Sequence, residues 1–239
     1  MNDLVGGLRV KIFADGASVD DIVALAADPL VQGFTTNPTL MRKAGVDDYL
    51  RFAKELVETV TDRPISFEVT SDDLDEMGRQ ALALRALGDN VMVKIPITDT
   101  AGRSTASLLE RLSGAGVALN ATALMTTAQV RQAAEAMAEA PPSVISVFAG
   151  RIADAGVDPV PVMTESVQVL EPYPNLELLW ASPREVLNVV QADRCGCHVI
   201  TMTPDLLAKL EHLGRDLDEF SLATVRMFRD DAVAAGYEF

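Results

Sequence analysis

Eight short β-rich runs, each followed by a segment with helical spacing, recur along the chain and leave it few possible folds. They are VKIFAD at 10–15, GFTTN at 33–37, ISFEVT at 65–70, VMVKIP at 91–96, VALNAT at 117–122, VISVFAG at 144–150, LELLWAS at 176–182 and HVITMT at 198–203. The spacers carry helix signals: Ser18, Asp72 and Asp99 near starts, alanine- and leucine-rich faces at i, i+3 and i+4, and Gly88, Gly116 or Pro141 at exits. Strands that alternate with helices and read as nearly continuous apolar runs belong to a parallel sheet with a covered outer face. Eight units in 239 residues predict an α/β fold, a single (β/α)8 TIM barrel, for which about 250 residues is typical. A doubly wound open sheet is the alternative, but Asp15-Gly16-Ala17-Ser18 is a poor glycine-rich phosphate turn after the first strand. No linker or low-complexity segment interrupts the rhythm, so residues 1–239 are expected to form one domain. Residues 215–235 read as an extra amphipathic C-terminal helix, available to cover a barrel end or a neighbouring subunit.

Composition narrows the partners. Apolar residues make up 49% of the chain, enough for a large core. A formal net charge of -15 disfavours nucleic acid and anionic membranes unless a basic patch intervenes, and the sequence has none. The start, MNDLVGGLRV, carries Asp3 and lacks the apolar stretch of a signal peptide, so a cytoplasmic protein is expected. Cys195 and Cys197 are too few for a disulfide framework or a structural zinc site, and read as buried or partly buried thiols. His198 begins a strand and His212 lies in a helical segment, which argues against a histidine base or metal site. Asp72, Asp73, Asp75 and Glu76 lack calcium-loop spacing and read as a helix N-terminus. No metal or cofactor is expected.

Barrel enzymes place their chemistry at the carboxyl ends of the strands. Seven of the eight runs put a distinctive polar group there: Asp15, Asn37, Glu68, Lys94, Asn120 with Thr122, Ser146 followed by Arg151, and Ser182 followed by Arg184. Any one of them alone is ordinarily a solvated or capping side chain. Seven converging on one rim indicate a functional site.

Lys94 is the most informative member. The alternation in VMVKIP puts Met92 and Lys94 on one face and Val91, Val93 and Ile95 on the other, so if the second face meets the helices, Lys94 points into the barrel. An unpaired ammonium there is costly, and the usual escape is loss of the proton, which leaves a nucleophile. Lys94 is thus either a snorkelling surface residue or a catalytic one. Lys11, by contrast, begins its run and can reach water at the opposite rim. An interior lysine ringed by polar groups suggests an amine that forms a Schiff base with a carbonyl substrate. Asp15 and Glu68 are the available general bases, with a buried ion pair as the other reading of Glu68. Asn37, Asn120 and Ser146 suit the hydroxyls of a polyol. Arg151 and Arg184, with the Ser182 hydroxyl, could grip a phosphate, although either arginine alone is more often a surface ion pair.

Together TTNPTL at 35–40, VKIP at 93–96, NAT at 120–122, FAGRI at 148–152 and ASPR at 181–184 resemble the transaldolases, particularly the short form related to fructose 6-phosphate aldolase. The resemblance covers nearly the whole chain in order. It implies a cytoplasmic, metal-free class I enzyme, an oligomer, that moves a dihydroxyacetone unit from a ketose phosphate to an aldose phosphate. It implies Lys94 as the Schiff-base lysine and Asp15 as the acid/base in C–C cleavage. Glu68 with Thr122 would position the catalytic water, Asn37, Asn120 and Ser146 would bind hydroxyls, and Arg151, Ser182 and Arg184 would bind phosphate. Members acting mainly as aldolases tend to have tyrosine and glutamine where this chain has Phe148 and Glu68, so the resemblance points to the transferase kind. An aldolase releasing free dihydroxyacetone and a catalytically silent sugar-phosphate-binding barrel are the alternatives. The chain departs from the family pattern at Gly16, where a hydroxyl residue is usual, and at Pro183, where an aromatic is usual. Pro183 fixes its own φ and restricts Ser182, so a specialised sugar-biosynthetic acceptor fits as well as a pentose phosphate one.

Overall fold

The computed structural model describes residues 3–237. Its eight strands are β1 (Lys11–Asp15), β2 (Val31–Thr35), β3 (Ile65–Glu68), β4 (Val91–Pro96), β5 (Leu119–Leu124), β6 (Ser143–Val147), β7 (Leu176–Trp180) and β8 (Val199–Met202). They close in sequence order into one parallel barrel. Closure is made by β1 pairing with β8, Lys11 opposite Val199 through Ala14 opposite Met202. The expected α/β barrel is what forms.

The pleat sorts side chains as the alternation predicts. Val91, Val93 and Ile95 are fully buried against the helices. Met92, on the other face, packs with Phe148 against an interior cluster of Phe13, Val144, Leu179, Ala181 and Val199. This plug fills the barrel beneath the rim. Gly33 makes room for it, because a Cβ there would lie 2.6 Å from the Phe13 ring.

Strand limits differ from the sequence reading in instructive places. β2 ends at Thr35, because Asn37 is already the N-cap of helix Pro38–Lys43, its side chain accepting from the Leu40 N–H. β5 starts at Leu119, two residues after the expected run begins, since Gly116 turns the chain in the left-handed region at φ 73°. Ser18 caps helix Val19–Ala26 as expected. The cap of helix Leu74–Arg85 is Asp73 and not Asp72, whose carboxylate accepts from the Thr100 N–H and hydroxyl. Asp99 caps no helix; it organises its own loop by accepting from the N–H groups of Ala101 and Arg103, and the next helix starts at Ala106.

Helix Leu217–Ala234 forms where an amphipathic helix is expected, yet none of its residues is buried. Leu217, Phe228 and Val233 are 78%, 63% and 64% exposed. The single chain therefore leaves this apolar surface uncovered and does not use it to seal a barrel end. No helix among the described residues is long and apolar enough to cross a membrane.

Candidate active site

A cavity of about 450 Å³ opens at the carboxyl ends of the strands. At its floor Lys94 is only 7% exposed. Its Nζ donates to the Thr36 carbonyl at 2.8 Å and lies 3.2 Å from Glu68 Oε2. Glu68 is the register partner of Lys94 across β3 and β4, so the sheet itself sets this pair. Of the two readings of Lys94, snorkelling is removed: the amine stays inside. The buried ion pair proposed for Glu68 exists too, and its partner is the cavity lysine. Tyr49 supports Glu68 from behind, its hydroxyl donating to the Glu68 carbonyl at 2.7 Å. Burial, and then the charge of Glu68, push the Tyr49 phenol up, so it remains a donor.

Asp15, at the end of β1, also faces the cavity. Its carboxylate accepts from the Thr35 hydroxyl at 2.9 Å and from the Asn37 amide at 3.1 Å. Thr35 Oγ in turn lies 2.5 Å from Thr201 Oγ. Since Thr35 has one proton and gives it to Asp15, Thr201 must donate to Thr35, which makes a chain of hydroxyls ending on the carboxylate. Burial raises the Asp15 pKa above 3.8; the positive charge of Lys94 and the Thr35 and Asn37 hydrogen bonds oppose that, and Glu68 adds to it. Asp15 is therefore held closer to the range where a carboxyl both takes and returns a proton.

β5 supplies Thr122, whose Oγ is buried and makes no hydrogen bond with the described residues. Next to it Ala123 sits at φ 65°, and the β5–β6 register is irregular between Ala121 and Leu124. Asn120 lies deeper: it is fully buried, donates to Ser66 Oγ at 3.1 Å and accepts from Ser146 Oγ at 2.7 Å. Ser146 lines the cavity, whereas Asn120 does not, so the amide acts on the lumen through Ser146.

The far wall comes from the turns after β6 and β7. Phe148 precedes helix Ala149–Asp154, and the Arg151 guanidinium lies 5.8 Å from its ring centroid. Ser182 adopts φ 61°, the left-handed region that non-glycine residues seldom occupy. The turn is held by Ala181 N donating to the Val147 carbonyl at 2.8 Å and by Arg184 N donating to Asn188 Oδ1 at 2.7 Å. Arg151, Ser182 and Arg184 all line the same cavity.

The rim thus brings together Asp15, Asn37, Glu68, Lys94, Thr122, Ser146, Phe148, Arg151, Ser182 and Arg184, with Asn120 one layer below. Sequence reasoning missed Thr35 and Thr201, which also line the cavity. The signal was present, since Thr201 interrupts the apolar β8 on the inward phase and Thr35 neighbours the noticed Asn37. Among the described residues no three of the His, Cys, Asp and Glu side chains are grouped so as to hold a metal ion.

Fold and cavity together define a barrel of the enzyme type, with its polar groups at the strand ends. Residues 12–238 match the family described as Transaldolase/Fructose-6-phosphate aldolase, and the chain belongs to that family. A protein named "Probable transaldolase" from Thermoanaerobacter sp. (strain X514) is 33% identical over 229 residues, covering 95% of this chain and 99% of its own. Another so named, from Novosphingobium aromaticivorans, is 36% identical over 202 residues, covering 84% of this chain and 88% of its own. A crystal structure of a Burkholderia cenocepacia J2315 protein superposes with a TM-score of 0.58 at 12% identity, covering 95% of this chain and 93% of its own, a likeness of fold alone. The chain is an enzyme of the transaldolase and aldolase type.

Proposed function

We propose that the chain is a transaldolase working through a Schiff base on Lys94, and the observation that carries this reading is the buried amine 3.2 Å from Glu68, in one cavity with Asp15. Glu68 takes a proton from Lys94, and the freed amine attacks the carbonyl carbon of a ketose donor. The carbinolamine loses its hydroxyl as water, with Glu68 returning the proton and the unpartnered Thr122 hydroxyl holding the water in line. A protonated imine on Lys94 results. Asp15 then removes the proton of the hydroxyl two carbons from the imine carbon. The bond between the hydroxyl-bearing carbon and the carbon adjoining the imine breaks, its electron pair moves toward the imine to give an enamine, and an aldose leaves. The enamine attacks the carbonyl of a second aldose, and Asp15 gives its proton to the new hydroxyl. Water then releases the product ketose and frees Lys94.

Ser146, held by Asn120, and Asn37 are placed to bind substrate hydroxyls, while Arg151, Arg184 and Ser182 face the end where a phosphate would sit. Phe148 favours transfer over release, because a phenyl ring cannot assist protonation of the enamine and leaves it for the acceptor. We further propose a homo-oligomer in which helix Leu217–Ala234 covers its apolar face on a second copy. A monomer by light scattering at micromolar concentration would remove that second proposal.

The test of the first is borohydride reduction with fructose 6-phosphate, followed by mass spectrometry. The expected result is one ketose-derived adduct on Lys94 and turnover that depends on an aldose acceptor. No adduct with any ketose overturns the Schiff-base reading, and free dihydroxyacetone without acceptor favours the aldolase instead.

A further inference from the structure

Arg184 projects from an exposed turn, and its side chain is 45% accessible. A long cation so placed samples many rotamers and is a poor anion ligand unless something holds it. Asp154 does hold it. Its Oδ1 accepts from Arg184 Nε at 3.0 Å and its Oδ2 from Nη2. We propose that Asp154 is a positioning residue for the anion end of the cavity, fixing Arg184 by one edge of its guanidinium so that the other edge faces the ligand.

A guanidinium has five N–H groups. Asp154 engages the Nε–Nη2 edge, which leaves both Nη1 hydrogens and one on Nη2 as a second fork, suited to two oxygens of a phosphate. Arg184 lines the cavity, so that fork has a ligand space to serve. The pair is not there for stability, since Asp154 is itself 54% exposed and such pairs contribute little.

Asp154 also ends the helix that carries Arg151, one turn earlier, and feels the charge of both arginines. The two turns are pressed together. A Cβ on Gly150 would lie 1.6 Å from the Ser182 carbonyl oxygen, and Gly150 N donates to the Ala181 carbonyl at 3.3 Å. Arg151, Asp154, Ser182 and Arg184 therefore belong to one packed unit, in which the carboxylate grips Arg184 and lies in the field of Arg151. A carboxylate beside an anion site could instead be a competitor that weakens it. The edge geometry argues otherwise, because Arg184 can bind an anion without leaving Asp154.

This inference rests on the reading that the ligand is a sugar phosphate, and the test separates the two. Kinetics with fructose 6-phosphate and with fructose as donors, and inhibition by inorganic phosphate, are compared for the parent enzyme, Asp154→Ala, Asp154→Asn and Arg184→Ala. Releasing one side chain to free rotation predicts that Asp154→Ala raises both the KM for the phosphorylated donor and the phosphate Ki by up to about tenfold, with a much smaller change in kcat. The preference for the phosphorylated donor falls by a similar factor. Asp154→Asn, which keeps an acceptor oxygen, falls between, and adding Asp154→Ala to Arg184→Ala costs nothing more. An unchanged or lower Ki in Asp154→Ala overturns the positioning role. If the parent enzyme turns over no ketose and forms no Lys94 adduct, the transaldolase reading fails, and calorimetric binding of inorganic phosphate to parent and Asp154→Ala still decides this one.

Discussion

The two rims of the barrel treat the same residue type in opposite ways. At the amino ends of the strands Lys11 pairs with Glu177 at 2.5 Å, and the two side chains are 37% and 36% exposed. At the carboxyl ends Lys94 pairs with Glu68 at 3.2 Å, and their side chains are 8% and 21% exposed. Each lysine lies in an apolar strand and each has a glutamate. Water reaches the first pair and screens it, so the pair neither strains nor strongly stabilises the fold. The second pair is enclosed with another carboxylate, Asp15, and with two left-handed residues, Ala123 and Ser182, nearby on the cavity wall. Position along the strand, more than residue type, separates the water-exposed pair from the enclosed one.

The largest test of this contrast exchanges each lysine for methionine. Lys94→Met should abolish turnover, with a loss on the order of 10⁴-fold or more, as the proposed Schiff-base role of this amine requires. Lys11→Met should leave kcat/KM within about twofold and alter stability by no more than about 1 kcal/mol, the range of exposed ion pairs. Steady-state assays and urea melts read both. Comparable losses from the two substitutions would erase the distinction between the rims.

Asp15 gives the next effect, and it separates function from stability. In the proposed role of general base, Asp15 should lose roughly 10²- to 10⁴-fold in kcat on change to Asn. Stability should move the other way. The folded-state pKa lies above the ordinary value of 3.8, mainly through burial, so the fold prefers the neutral carboxyl. That preference is fully present below the unfolded value and is lost as pH rises through the raised folded one. At neutral pH the parent protein therefore carries a penalty that Asp15→Asn removes. The variant should melt higher than the parent at pH 7, with the gap closing in acid. A lower melting temperature at pH 7 would mean that the hydrogen bonds from Thr35 and Asn37 outweigh burial.

The sequence makes the barrel legible because eight apolar runs with helical spacers have few other solutions, and it makes Lys94 legible because VMVKIP alternates cleanly. What it hides depends on neighbours that are distant in the chain. Thr201 shows in the sequence as a polar break in an apolar run, but its partner does not, since only closure of β8 on β1 brings it to Thr35. Asp154 looks like any acidic residue ending a short helix until the turn after β7 folds against it. Asn120 reads as one more polar residue near the end of its run, but it is the second residue of β5, which carries on to Leu124, and so lies beneath Ser146. The left-handed Ala123 is invisible because alanine carries none of the turn preference of glycine or asparagine.

The smallest effect belongs to the amino-terminal rim. His198 precedes β8, and its Nδ1 accepts from the Leu178 N–H at 3.0 Å, so the ring is neutral with its proton on Nε2. Burial lowers its pKa below 6.5, Glu177 opposes that, and Lys11 adds to it. Here the fold prefers the deprotonated form. Its stabilisation is complete above pH 6.5 and is lost as pH falls toward the depressed folded value, the reverse of Asp15. Protonating Nδ1 also removes an acceptor worth about 1 kcal/mol. Urea melts between pH 7 and 5 should show the parent losing stability, and His198→Asn, whose amide oxygen can replace Nδ1 without titrating, should show a flatter profile. Activity measured at saturating substrate should follow the melt rather than lead it, because Lys11, Glu177 and His198 do not line the cavity. If His198→Asn instead shifted the pH dependence of kcat, the plug of Phe13, Val144 and Leu179 between the rims would be transmitting charge state, and the two ends of the barrel would not be separable.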